Sequence, residues 1–204
     1  MRLRQRARAV LFIIFSVWTT GLASGFTVAV SGGVNCQLSS ALGYGPKYQL
    51  GGEAAADVLF PVTPWLSIGP SAGVLGANAS NLDGGFGYRS YLGGFLGAAA
   101  AADAPLATWP YVGALRAGGR LALLANVAMY GSTTLAFFFP SLGLDGTLSF
   151  VPAKLPFLRF GLTVPLRVYF RRDFEFSGSA GIGLSVAVEK LPAPKPSAAP
   201  KATP

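Results

Sequence analysis

Ten charged residues spread through the middle of the chain are the ones whose types could do chemistry. They are Glu53, Asp57, Arg116, Arg120, Asp145, Arg159, Arg167, Arg171, Glu175 and Glu189. The 204 residues contain no histidine and one cysteine, Cys36. That removes His-based catalysis, a Ser-His-Asp triad, His/Cys metal sites and any intrachain disulfide. Glu53 and Asp57 are paired on one strand face, but four residues along a strand is about 13 Å, too far for a paired acid/base mechanism. The sequence therefore argues against an enzyme and offers no metal site and no cofactor. What remains for five arginines and five acids is to pair with one another.

Strands must position them. In segment after segment, apolar and polar residues alternate with period two, which a strand keeps on opposite faces and a helix would mix. Between Leu158 and Arg171, Phe160, Leu162, Val164, Leu166, Val168 and Phe170 form one row, and Arg159, Thr163, Arg167, Tyr169 and Arg171 the other. The same pattern sets Tyr48, Leu50, Val58 and Phe60 against Gln49, Glu53 and Asp57, and Leu184, Val186 and Val188 against Ser185 and Glu189. The spacing predicts eight strands, at about 27–38, 48–60, 65–76, 86–99, 111–124, 141–151, 158–171 and 174–189.

Composition says what surrounds them. Charged residues are 12% and hydrophobic residues 51% of the chain, where a soluble domain carries about 25% charged. This points to a membrane and away from disorder. Beyond the N-terminal segment, no stretch of eighteen residues is free of Gly, Pro and charge, so helical spans are poor candidates. Most of the eight strands reach the roughly 9–11 residues that cross a bilayer at a tilt. Outward apolar rows require closure, because an open edge in lipid would leave backbone N–H and C=O groups unpaired. The expected fold is all-β: an eight-stranded antiparallel up-and-down transmembrane barrel.

The ends read differently. Arg2, Arg4, Arg6 and Arg8 precede an apolar run from Ala9 to Trp18 and then Gly21, Ala23, Ser24 and Gly25, the three regions of a secretory signal. Residues 1–25 are assigned to it and 26–190 to the barrel. Residues 191–204 form a Pro/Ala/Lys tail expected to be extended and disordered in the periplasm, either solvated or touching an anionic partner. Of the formal charge of +8, four lie in the leader, and Lys190, Lys195 and Lys201 lie at the far end. The middle is nearly neutral, which excludes a nucleic-acid surface.

This plan resembles the small outer-membrane barrels of the OmpW-like and OmpX-like group. The likeness is carried by the Arg-rich leader, the run from Phe60 through Pro61, Pro64, Trp65 and Ile68 to Pro70, and the strand from Phe160 to Arg171. Unlike that group, the last strand ends in Val188-Glu189-Lys190-Leu191 and not on an aromatic residue. The resemblance implies the cell outer membrane, surrounding lipid and insertion by the barrel assembly machinery. Its functional implication is a narrow conduit for small solutes, apolar ones among them. The rival is a structural or surface-interaction protein that transports nothing.

Three sets of residues carry these readings. The polar faces place Glu53, Asp57, Arg116, Arg120, Asp145, Arg159, Arg167, Arg171 and Glu175 in the lumen, as a plug of paired charges or as a constriction passing a solute. Arg120 is expected near Asp145, and Arg171 near Glu175. Phe137, Phe138 and Phe139 fall in the third external loop, as a hydrophobic mouth or as the outer ends of strands five and six. Tyr48, Phe60, Trp65, Trp109, Tyr111 and Phe170, near strand ends, are candidates for aromatic girdles at the lipid–water boundary.

Overall fold

A computed structural model describes residues 25–41, 47–78, 90–130, 136–172 and 174–189. The leader (1–24) and tail (190–204) lie outside the described residues. Eight strands follow in chain order: β1 (Thr27–Ala41), β2 (Lys47–Thr63), β3 (Leu66–Ala77), β4 (Tyr91–Trp109), β5 (Gly113–Tyr130), β6 (Ala136–Pro152), β7 (Leu158–Tyr169) and β8 (Phe174–Glu189). Each pairs antiparallel with the next, and β8 pairs with β1 to close the barrel. Turns at 64–65, 110–112 and 153–157 mark one end, called the turn end; the other is the loop end.

Closure fixes a stagger. Partners traced once round from Thr27 pass Leu59, Gly69, Ala99, Ala122, Gly143, Arg167 and Ser179. They return to β1 at Gln37, ten residues past the start. Strands in such a barrel tilt by about 35–45°, so residues far apart on the unrolled sheet come to one level inside.

Two segments differ from the alternation pattern. Residues 100–110 read as a long turn, yet β4 runs unbroken to Trp109 and turns tightly through Pro110, Tyr111 and Val112. The Ala98–Ala102 run has no apolar/polar contrast to read; its strand character comes from partners, Ala99 with Ala122 and Ala101 with Arg120. Beyond Ala102, opposite Leu66, β4 has no β3 partner. It goes on seven residues, with a bulge at Pro105, as a hairpin projecting from the turn end. The second difference is at the loop end. Phe137, Phe138 and Phe139 are not in a loop; they belong to β6, opposite Ala128, Val127 and Asn126.

The two faces part as the alternation requires. Outward rows such as Leu162, Val164, Leu166 and Val168, or Ile182, Leu184 and Val186, are exposed. The interior of the loop-end half is packed by Leu75, Tyr91, Phe95, Leu124, Phe139 and Tyr169.

Candidate functional site

The lumen charges fall into two tiers. The deeper tier centres on Arg120 of β5. Its guanidinium donates to Asp145 Oδ2 on the neighbouring β6 at 2.6 Å. Across the lumen it donates to Asp57 Oδ1 on β2 at 2.8 Å and to Ser71 Oγ on β3 at 2.7 Å. Register places these donors and acceptors: Arg120 lies opposite Asp145, and Asp57 opposite Ser71. Arg167 of β7 completes the tier, donating to Asp145 and, at 2.7 Å, to Glu53 Oε1. Asp145 is thus shared by both arginines. Gly143 makes room for this, since a Cβ there would come 2.7 Å from Arg167 Nη1.

Burial makes this tier energetically consequential. The Arg167 and Glu53 side chains are 3% and 8% exposed. Ions so far from water rely on their partners, and removing one partner of a buried pair costs about 3–5 kcal/mol. The arrangement can hold strands together and block passage. With every carboxylate of the tier facing a guanidinium, it presents no paired acid and base.

The second tier lies at the turn end. Asp103 of β4 accepts from Arg116 of β5 and, at 3.2 Å, pairs with Arg159 of β7, which also reaches Glu189 of β8. Asp103 is absent from the charges expected in the lumen because residues 100–110 read as a turn. It is the sole charge between Arg89 and Arg116, a signal that could have found it. Arg171 lies elsewhere: its guanidinium sits 5.5 Å from the centre of the Phe139 ring. Glu175, its expected partner, has a side chain outside the described residues, as does Phe137.

The loop-end half of the lumen is closed by rings and amides. Phe139 meets Tyr169 edge to face at 5.8 Å. Tyr91 donates to Gln37 Oε1 at 2.5 Å, and Asn126 donates to the Phe139 carbonyl and to Ser141 Oγ, both at 2.9 Å. The three phenylalanines do not act as a unit: Phe139 is 8% exposed inside, while Phe138, one residue earlier, points outward at 79%. On the turn-end side of Arg120 the lumen opens. A cavity of about 110 Å³ touches Arg120, Asp145, Thr147 and Thr163. It adjoins a mouth of about 240 Å³ rimmed by Asp103, Arg116, Arg159 and Glu189.

The aromatic candidates separate by level. Tyr48 and Phe170 are exposed toward the loop end, and Trp65 is exposed in the turn joining β2 and β3. Phe60 departs from the girdle expectation: it is 4% exposed, opposite Ile68, its ring covered by protein. Trp109 and Tyr111 lie on the projecting hairpin, past the level of Trp65, with Tyr111 at the tip 93% exposed.

Among solved structures, the chain is similar to the crystal structure of Neisserial surface protein A (NspA). The TM-score is 0.54, with 14% identity over 80% of this chain and 96% of that one. The chain has an eight-stranded barrel fold like that of NspA. Alignments at lower score are found with Ail, the attachment invasion locus protein of Yersinia pestis (TM-score 0.42, 11% identity, covering 79% of this chain and 97% of that one). Another is with the N-terminal barrel domain of Pseudomonas aeruginosa OprF (TM-score 0.40, 10% identity, 80% and 97%). No protein-family model matches the chain, and no curated protein sequence matches it. What NspA and this chain share is the fold; the lumen is read from this chain's own side chains.

Proposed function

We propose that the protein is a bacterial outer-membrane barrel with a sealed interior that acts as a structural or surface-interaction protein and does not conduct. The observation that carries this is the double closure of the lumen. The Arg120–Asp57–Asp145–Arg167–Glu53 tier blocks it from the turn end, and Phe139, Tyr169, Tyr91 and Phe95 fill it beyond.

The membrane reading rests on the outer wall. Tyr48 and Val62, both exposed, are fourteen residues apart on β2, about 35 Å along the axis at a tilt near 40°. That is enough to cross a bilayer core of about 30 Å. Exposed Leu, Val, Ile and Phe cover the strands over this height, an area far beyond what a water-facing surface carries. In this reading the turn end faces the periplasm and the loop end the outside, as short turns and long loops are distributed in such barrels. Residues 1–25 serve as the export leader, 191–204 as a periplasmic tail, lipid as the surroundings and the barrel assembly machinery as the route in. Membership of the OmpW-like or OmpX-like group belongs to the same reading, resting on the 60–70 run and the 160–171 strand.

The conduit reading has one observation in its favour, the turn-end cavity. It stops at Arg120, so conduction would require Phe139, Tyr169 and the ion-pair tier to move together. Reconstitution into planar bilayers separates the two. A sealed barrel gives no discrete current steps while migrating as a heat-modifiable folded species on gels; reproducible steps from the same preparation would refute the proposal.

A further inference from the structure

We infer that the outer wall holds one acyl chain of an outer-leaflet lipid in a groove floored by Gly52 and Gly76. The inference rests on the membrane-spanning reading above. Val34, Gly52, Gly76, Leu92 and Met129 are successive partners across β1 to β5. All lie on the outward side of their strands, and Val34, Leu92 and Met129 are exposed there. The two central positions carry no side chain. The wall is therefore sunken between Val34 and Leu50 on one side and Leu92 and Met129 on the other, an open hollow of about 940 Å³.

The groove has a direction. Gly52 lies four residues from the exposed Tyr48 toward the turn end, about 10 Å along the axis, which is outer-leaflet depth. Asn78, Ser90 and Tyr91 border it toward the loop end, and Val34, Leu50, Leu92 and Met129 flank the rest. An amphiphile with its polar end at Asn78 and Ser90 and its chain running down the wall matches this division. A chain of methylenes makes dispersion contacts on three sides in such a trough, where a flat wall offers one. A second copy of the barrel does not fit: Val34 and Leu92 are three strand spacings apart, about 14 Å, narrower than any barrel.

The same backbone supplies the test. A Cβ on Gly52 would meet only the Gly33 carbonyl at 3.2 Å, and one on Gly76 the Tyr91 carbonyl at 3.1 Å and Leu92 Cδ1 at 3.5 Å. Larger side chains can therefore point into the groove and fill it with small local shifts. Gly146, on the outer face of β6, has nothing within 4 Å of its Cβ position and serves as the control.

The experiment is native mass spectrometry of the full chain in detergent micelles with added dipalmitoyl phosphatidylethanolamine. Wild type and Gly146→Leu should each retain one lipid, and Gly52→Leu/Gly76→Leu should show occupancy at least about tenfold lower. The single variants Gly52→Leu and Gly76→Leu give intermediate occupancy and stand in if the double variant does not fold. Equal retention in the filled variants overturns the inference. So does loss in Gly146→Leu, which would mean a non-specific lipid shell, and so does retention of a second protein copy in place of lipid. Heat-modifiable migration and insertion into vesicles are scored separately. A barrel that inserts but holds no lipid removes this inference alone, whereas one that does not insert removes the membrane reading as well.

Discussion

Arg120 on β5 and Asp57 on β2, 63 positions apart along the chain, meet across the lumen at 2.8 Å. Neither strand is a neighbour of the other in the sheet. The contact exists because the sheet closes and the stagger brings both residues to one level. Asp57→Ala should destabilise the barrel by about 1.5–3 kcal/mol, since a buried guanidinium loses its charge-assisted bonds to Asp57 while keeping Asp145 and Ser71. Arg120→Met combined with Asp57→Leu should recover part of that loss, since both charges leave together. Urea titration in micelles measures both; a single-variant cost below about 1 kcal/mol would contradict the buried pairing.

Asp103 is the shared acceptor of Arg116 and Arg159, but these side chains are 21–28% exposed. Water screens such pairs, so Asp103→Ala should cost only about 1 kcal/mol. The comparison with Asp57→Ala in the same urea assay tests the order of the tiers. A larger loss at Asp103 would reverse it.

Gly143 gives its side-chain space to Arg167. Gly143→Val should push the guanidinium off Asp145 and Glu53 and destabilise by about 1–3 kcal/mol, as overpacking does. Gly146→Val, with open space around it, should stay within about 0.5 kcal/mol of the parent. Equal thermal midpoints for the two variants would show that Arg167 does not depend on that gap.

Opening the lumen should need both closures removed. Arg120→Ala with Asp145→Ala enlarges the turn-end cavity but leaves Phe139 and Tyr169 in place, so planar bilayers should stay silent. Adding Phe139→Ala and Tyr169→Ala should produce current steps. Conductance from the charge-tier variant alone would mean that the ring layer is no seal.

Trp65 and Trp109 should report different surroundings. Trp65 sits in the β2–β3 turn at the edge of the apolar band, whereas Trp109 lies on the hairpin that outruns β3. With Trp18→Phe and Trp109→Phe in vesicles, fluorescence of the remaining Trp65 should be quenched by brominated lipid. With Trp18→Phe and Trp65→Phe, Trp109 should respond more to aqueous iodide. Equal lipid quenching of the two would place the hairpin back against the membrane.

The eight-stranded barrel was legible because strand alternation is local: each of the 160–170 and 182–188 rows shows its apolar face without reference to any neighbour. The Arg120–Asp145 pair was legible for a related reason, since adjacent hairpin strands bring residues at predictable offsets together. Where alternation lapses, in the alanines of β4, local reading failed, and Asp103 was lost with it. Phe137, Phe138 and Phe139 follow the turn cluster Gly131-Ser132-Thr133-Thr134, but an unbroken aromatic run shows no alternation, so the sequence leaves open a loop mouth or a strand end; pairing with β5 decides for the strand.

Residue order alone therefore determined the architecture, the apolar exterior and the identity of most lumen charges. Which charges share a partner, that Asp145 serves two arginines, that Arg171 stacks on Phe139 and that the lumen is shut twice were decided only by the closed sheet. The reason is geometric. A strand's two faces follow from its own side chains, but the level at which β2 meets β5 across the interior depends on the register of every hairpin between them, summed around the cylinder.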